Sequence, residues 1–279
     1  MFQPLLKAEI DHREESTVKR TFGLIAFMMA FIASSVAFSQ SLDDLRGKRR
    51  LVVGSLVDFS PYGFIDREGK PDGFDIDFAK LLGKKLGLPV EIVPVAGANR
   101  IPFLLSGKVD ILVAALGMTQ ERAQQVDFSI PYERLNSWLI ARKDRNIKSW
   151  QDMAGSSFAV TRGSTDDLSL TKNAPSGTTI LRFDDDATTR QAVISAQVDG
   201  SSLSDTSIKA LEKVLPEIYE RKFAIRSQLQ GVGVRKGADE LLGAINKAIE
   251  DAKADGSLRD IRLKWIGQDV PDLSVPKLD

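Results

Sequence analysis

Arg122 lies three residues after Thr119, just beyond a nearly unbroken apolar run from Val109 to Leu116. Thr119 can cap a helix. That places Arg122 in the first helical turn, where the helix dipole offers a cation nothing. A guanidinium held at the carboxyl end of a strand suits bidentate binding of a carboxylate; the plainer alternative is a surface arginine paired with Glu121. Gly163-Ser164-Thr165 opens a second helix. Its free backbone N–H groups and the Thr165 hydroxyl can meet an anion, or the pair can serve as an ordinary N-cap. Arg162, just before that turn, either selects an acidic group or is simply solvated.

Three other patterns carry less. Asp184, Asp185 and Asp186 are consecutive, so they cannot all face one ion without a loop of alternating ligands; helix capping by Asp185 or Asp186 is the expectation. Ser169-Leu170-Thr171-Lys172 has the S-x-x-K spacing but no Lys-Thr-Gly follows it. Gly231-Val232-Gly233 lacks the third glycine of a phosphate loop. No metal site and no cofactor are expected.

Composition narrows the chemistry further. The 279 residues contain no Cys and one His, His12, which removes thiolate nucleophiles, disulfides and most zinc sites. Lys plus Arg and Asp plus Glu both total 38, and this balance argues against a nucleic-acid partner. With 43% hydrophobic and 27% charged residues, the chain reads as a globular protein of one large domain or two lobes.

Residues 22–38 are uncharged and apolar, follow Lys19 and Arg20, and end in the small residues of Ser35-Val36-Ala37 and Ala37-Phe38-Ser39. This is the layout of a secretory signal peptide over 1–39, with an uncleaved membrane anchor as the rival. The long mixed-charge stretch before it is consistent with a start at Val18. Removal of 1–39 takes four basic and four acidic residues, so the charge stays balanced. His12 would leave with it.

The elements that must position Arg122 and the Gly163 turn alternate between strand and helix, the pattern of an α/β protein. Strands are expected at 50–54, 90–95, 109–116, 137–141, 157–160 and 178–182. Between them lie helices at 99–106, 148–154, 165–172 and 187–197, and a helix capped by Asp75 and ended by Gly87 and Pro89. A helix at 208–215, an extended return at 223–234 and helices at 240–255 and 256–265 follow. The pattern restarts near 145. This divides the chain into a first lobe of 40–138 plus 231–279 and a second of 139–230, with hinge strands near 137–142 and 223–234. A site at the carboxyl ends of the strands then lies between the lobes.

Several ordered stretches resemble the family-3 extracellular solute-binding proteins, the periplasmic amino-acid-binding components of ABC transporters. They are Asp58-Phe59-Ser60-Pro61-Tyr62-Gly63-Phe64, Gly73-Phe74-Asp75-Ile76-Asp77-Phe78-Ala79, Ala98–Leu104, Gly107–Asp110, Thr119–Arg122, Val126–Tyr132, Gly163–Thr165, Val198-Asp199 and Val234–Gly237. The resemblance implies a type II periplasmic-binding-protein fold, an amino-acid ligand, an inner-membrane permease as partner, a periplasmic location and a monomer. It implies that Arg122 binds the ligand α-carboxylate with Ser164 and Thr165 opposite. Phe59 would stack on the ligand, and the Ala115 carbonyl would accept from its ammonium.

The match departs from the family in two places. The usual ammonium-binding acid falls five residues after the Val-Asp pair, whereas Asp205 is six past Asp199. Asp205 is therefore expected at the ammonium with Ser204 as substitute, or as a helix cap. Gly117 stands where many relatives carry Ser or Thr, leaving only backbone groups there. Asn99 and Arg100 either touch the ligand side chain or cap their helix, and Phe59 is either a ligand contact or core. An enzyme on the same scaffold, resembling a cyclohexadienyl dehydratase, is the alternative. It would need a general acid or base in the cleft, and no Glu falls at an obvious cleft position.

Overall fold

The computed structural model describes residues 42–274. Two five-stranded sheets organise the chain. In the first, the order is Val90–Pro94, Leu51–Ser55, Ile111–Leu112, Gly233–Arg235, Val126–Phe128. The first three strands are parallel, and the returning Gly233–Arg235 strand is antiparallel to both its neighbours. In the second, the order is Thr179–Phe183, Ser157–Thr161, Gly200–Ser204, Glu133–Arg142, Tyr219–Gln230, parallel at one edge and antiparallel at the other. A small three-stranded antiparallel sheet over 58–72 adjoins the first. Helices flank the sheets, giving the two-lobed α/β architecture.

Residues 109–116 read as one long strand, yet only Ile111–Leu112 pairs as strand. The apolar run is buried because Val109 and Ile111–Ala114 lie in the centre of the first lobe, not because all of it is in the ladder. The helix expected from Asp75 runs Phe74–Leu86 with Gly73 at its start, so Asp75 lies inside the first turn and is buried. Its apolar face repeats every four residues at Phe74, Phe78 and Leu82, all fully buried. Gly87 ends it in the left-handed region (φ 72°), its N–H reaching back to Lys84 O, a conformation glycine adopts without strain. Phe78 and Phe74 stack on Tyr132, with ring centroids 4.4 and 6.1 Å apart.

The chain passes from the first sheet to the second between Phe128 and Glu133 and returns between Gln230 and Gly233. The boundary at 138 and the crossing at 137–142 are thus misplaced. Glu133–Arg142 belongs entirely to the second sheet, where it pairs along its length with Tyr219–Gln230. The expectation failed because the crossing is short and extended, and an extended crossing merges in sequence with the strand that follows. The two crossings are tied to each other: Ser129 N donates to Val232 O (3.0 Å), Val232 N to Ser129 Oγ (2.9 Å) and Tyr132 N to Gln230 O (3.0 Å).

A buried ion pair locks the C-terminal helix Ser257–Ile266 to this crossing, Arg262 Nε donating to Glu133 Oε2 at 2.8 Å. Beyond the helix, Arg134 of the second sheet donates to the carbonyls of Asp272 (2.7 Å) and Ser274 (3.2 Å). Burial pushes the Glu133 carboxyl up, and the Arg262 guanidinium opposes this. Removing one partner of such a pair leaves a buried, uncompensated charge. Arg262→Met should therefore lower the unfolding free energy by about 3–5 kcal/mol in urea titrations at neutral pH. A carboxyl raised in the folded state costs stability above its folded pKa, so the deficit should shrink toward acid, where Glu133 takes up a proton. A loss below about 1 kcal/mol at neutral pH would show that the pair does not hold the crossing.

Candidate functional site

A cleft of about 560 Å³ of empty space, its solvent mouth included, opens between the two sheets. The first lobe contributes Leu56, Phe59, Gly97, Arg100 and Ala115. From the second come side chains at strand ends and helix starts: Thr161 closes the Ser157–Thr161 strand, Ser204 closes Gly200–Ser204, Ser164 and Thr165 open the Thr165–Asn173 helix, and Asp186 opens Asp186–Ile194. This is the carboxyl-end geometry of an open α/β sheet.

Two buried guanidiniums organise the seam. Thr119 caps the short Gln120–Ala123 helix through its Oγ1, to which Arg122 N donates (3.2 Å). The Arg122 side chain turns inward, NH1 donating to Gly117 O (2.9 Å) and NH2 to Gly163 O (2.9 Å). Glu121 is not its partner. Arg100 donates to the carbonyls of Gly97 (2.9 Å), Ala114 (2.9 Å), Ala115 (3.2 Å) and Gly163 (3.3 Å). Both arginines therefore converge on the Gly163 carbonyl of the opposite lobe. Neither has a carboxylate within ion-pair distance among the described residues. Burial, with the charges of Arg100 and Arg226, pushes Arg122 down to about 9, and burial also lowers Arg100.

The other expected residues divide. Ser164 is the N-cap, its Oγ accepting from Asp167 N (3.0 Å), and with the buried Thr165 it also lines the cleft. Phe59 is buried, stacks on Tyr62 at 5.1 Å, and also lines the cleft. Ala115 lines the cleft in the left-handed region (φ 44°) and is held there by Asp75, whose Oδ2 accepts from Ala115 N (2.7 Å). The other oxygen of Asp75 accepts from Tyr132 OH (2.9 Å), and burial raises this carboxyl to about 7. The Ala115 carbonyl, expected at an ammonium, accepts from Arg100 NH1 (3.2 Å).

Asp205 is misplaced. Its Oδ1 is paired with Arg221 NH1 (2.6 Å) on the rim of the second sheet, away from the cleft lining. The capping role belongs to Ser204, whose Oγ accepts from Ser207 N (3.2 Å) while lining the cleft. Asn99 is exposed at the N-cap position of the Arg100–Leu105 helix, makes no side-chain capping bond and is not in the cleft lining. Arg162 is exposed and pairs with Asp184 (3.2 Å). Asp185 caps its helix by accepting from Thr188 N (2.6 Å). No group of three or more His, Cys, Asp or Glu that could hold a metal exists among the described residues.

Sequence reasoning missed three charged groups. Asp186 Oδ1 accepts from Thr161 Oγ1 (2.7 Å), its backbone N–H donates to Asp58 Oδ2 across the lobes (3.0 Å), and burial raises its carboxyl to about 6. Asp166 and Arg226 form a pair in the cleft wall (3.0 Å). The signal was available for Asp186 alone, as the acid left over once Asp185 is assigned to capping.

Gly117 has a steric reason. A Cβ built there would lie 2.8 Å from Thr165 Cγ2 and 2.9 Å from Gln228 Cγ, both from the second lobe. A side chain there must displace Thr165 or Gln228. Gly117→Ser should force the lobes apart, giving a larger radius of gyration in small-angle scattering and a thermal midpoint lower by a few degrees. Unchanged scattering would mean that Thr165 and Gln228 repack at no cost.

With this geometry defined, likeness to known proteins becomes informative. The family of bacterial extracellular solute-binding proteins, family 3, matches residues 51–268. The L-cystine-binding protein TcyJ of Escherichia coli strain K12 is 27% identical over 249 residues, covering 88% of this chain and 93% of that protein. The ABC transporter glutamine-binding protein GlnH of Bacillus subtilis strain 168 is 28% identical over 242 residues, covering 85% and 88%. Among solved structures, an ancestral arginine-binding protein bound to arginine aligns with a TM-score of 0.74 at 37% identity, covering 78% of this chain and 99% of that one. All three are named as binding proteins rather than enzymes. The chain belongs to the family-3 bacterial extracellular solute-binding proteins, with their two-lobed periplasmic-binding-protein fold.

Proposed function

We propose that this protein is the periplasmic substrate-binding component of an ABC importer, which closes on a polar amino acid and presents it to an inner-membrane permease. The observation that carries the reading is the convergence of Arg100 and Arg122 on one carbonyl across the lobes, with no carboxylate within ion-pair distance of either among the described residues. Such a seam has positive charge to spare, and an α-carboxylate is the anion of matching size. Arg122 keeps N–H groups beyond the two it uses, and the Ser164–Thr165 helix start offers backbone N–H groups from the other side. Phe59 and the Ala115 carbonyl complete the first lobe's contribution.

The short crossings at 129–132 and 231–232 serve as the hinge. Because ligand contacts come from both lobes, ligand binding favours the closed state over the open one. Export by a signal peptide over 1–39 belongs to the same reading. That segment lies outside the described residues, and no helix among the described residues is long and apolar enough to cross a membrane. The protein acts as a monomer without a cofactor, and the relatives named as binding proteins support ligand capture over turnover.

Two measurements test this. A thermal-shift screen against the amino acids should raise the melting transition with at least one; a ligand at 100 times its Kd adds about 2.7 kcal/mol. Against that ligand, Arg122→Ala should weaken binding at least ~10-fold by calorimetry while leaving the fold intact, since a charge-assisted bond contributes about 1.5–3 kcal/mol. Unchanged affinity would remove Arg122 from the site.

A further inference from the structure

Two carboxylates line the cleft, and they are not equivalent. Asp166 is neutralised by Arg226, whose Nε donates to its Oδ1 at 3.0 Å. Asp186 has no basic group within ion-pair distance among the described residues; its one side-chain bond is from the Thr161 hydroxyl. A third acid, Asp58, sits beside it from the opposite lobe, and Asp58 Oδ1 is buried without a partner. Asp186 and Asp58 thus sit together, with Arg190 and Arg100 acting on Asp186 through space but bonded to neither of its carboxyl oxygens. Ser202, buried in the same lining, carries a hydroxyl with no hydrogen-bond partner, so the second lobe's wall has unspent polar capacity facing the cleft.

The strand end where a carboxylate was expected holds Ser204, and Asp205 is committed to Arg221 on the rim. A ligand that brings a protonated nitrogen between the lobes meets one unpaired carboxylate in the lining, and that is Asp186.

We propose that Asp186 is the cation acceptor of the cleft, receiving a protonated nitrogen of the ligand in place of an acid at the end of the Gly200–Ser204 strand. This rests on reading the cleft as an amino-acid site. The nitrogen is either the α-ammonium or a side-chain cation, and the test separates the two. Burial and the neighbouring Asp58 oppose ionisation of Asp186, the charges of Arg190 and Arg100 favour it, and Thr161, itself bonded to Thr189, holds the ionised oxygen. An incoming cation shifts that balance toward the charged form, so binding should release a proton near pH 6 and strengthen as pH rises through about 6.

Calorimetry with L-arginine, L-glutamine and L-cystine as probes decides the matter. Asp186→Asn should weaken, at least ~10-fold, every bound probe if it meets the α-ammonium and L-arginine alone if it meets a side-chain cation, whereas Asp205→Asn should change affinity by less than about 2-fold. An equal loss for all probes assigns Asp186 to the α-ammonium; a loss confined to L-arginine assigns it to a side-chain cation. Affinity retained by Asp186→Asn overturns the proposal while leaving the amino-acid reading intact. A thermal-shift screen in which no amino acid binds the unmodified protein overturns both. If Asp186→Asn does not fold, titration of the unmodified protein at pH 6 in buffers of different ionisation enthalpy gives the answer: a buffer-dependent heat supports the proposal, and a buffer-independent one overturns it.

Discussion

The guanidiniums of Arg100 and Arg122 are taken out of water at the seam of the lobes with no carboxylate within ion-pair distance among the described residues, and much of the surrounding structure makes that tolerable. A buried, unpaired cation costs several kcal/mol. Here the cost is offset by carbonyl oxygens aimed inward: Gly97, Ala114, Ala115 and Gly163 for Arg100, and Gly117 and Gly163 for Arg122. Carbonyls supply partial negative charge without neutralising the cation, so the site keeps its appetite for an anion. A carboxylate side chain in the same place would be more stable and would compete with any ligand.

Aiming those carbonyls has its own requirements. Ala115 turns its carbonyl toward Arg100 by adopting a left-handed backbone that alanine resists, at a cost of about 1–3 kcal/mol. The Asp75 carboxylate holds it there, and its second oxygen takes the Tyr132 hydroxyl beside the crossing. One buried carboxylate thus joins the cleft floor to the segment that connects the lobes. Gly163 turns the backbone at φ 69°, and Gly117 permits the opposite lobe to approach within contact of the main chain. The glycines at the seam and the acid behind it are consequences of the same two cations.

How much of this could be read from the sequence depends on how local each signal is. Alternation of apolar runs and helical periods gave the α/β layering, because both periods are written in neighbouring residues. Thr119, Ser164 and Asp185 were legible as caps for the same reason. The crossing was not, since a four-residue extended linker has no pattern distinct from the Glu133–Arg142 strand it enters. Asp205 misled because its distance from Asp199 along the chain differs by one from the expected spacing, and at a strand end one residue turns a side chain from one face to the other. Ser204 faces the cleft; Asp205 faces Arg221. Asp186, Asp166 and Arg226 come from elements far apart in sequence, and only the fold brings them to one wall.

A chain with 38 basic and 38 acidic residues has no net field with which to attract or orient a charged solute. On the proposed reading, orientation comes from the separation of charge inside the cleft, positive at Arg122 and negative at Asp186. A zwitterion aligned along that axis satisfies both ends at once, whereas a simple anion or cation leaves one end unpaired in a site that closure shields from water. Discrimination then follows from the penalty on the unmatched end, which is paid only when the lobes close. The same burial that makes the two cations expensive makes a mismatched ligand expensive, and so a neutral protein can be selective for a neutral molecule with charged ends.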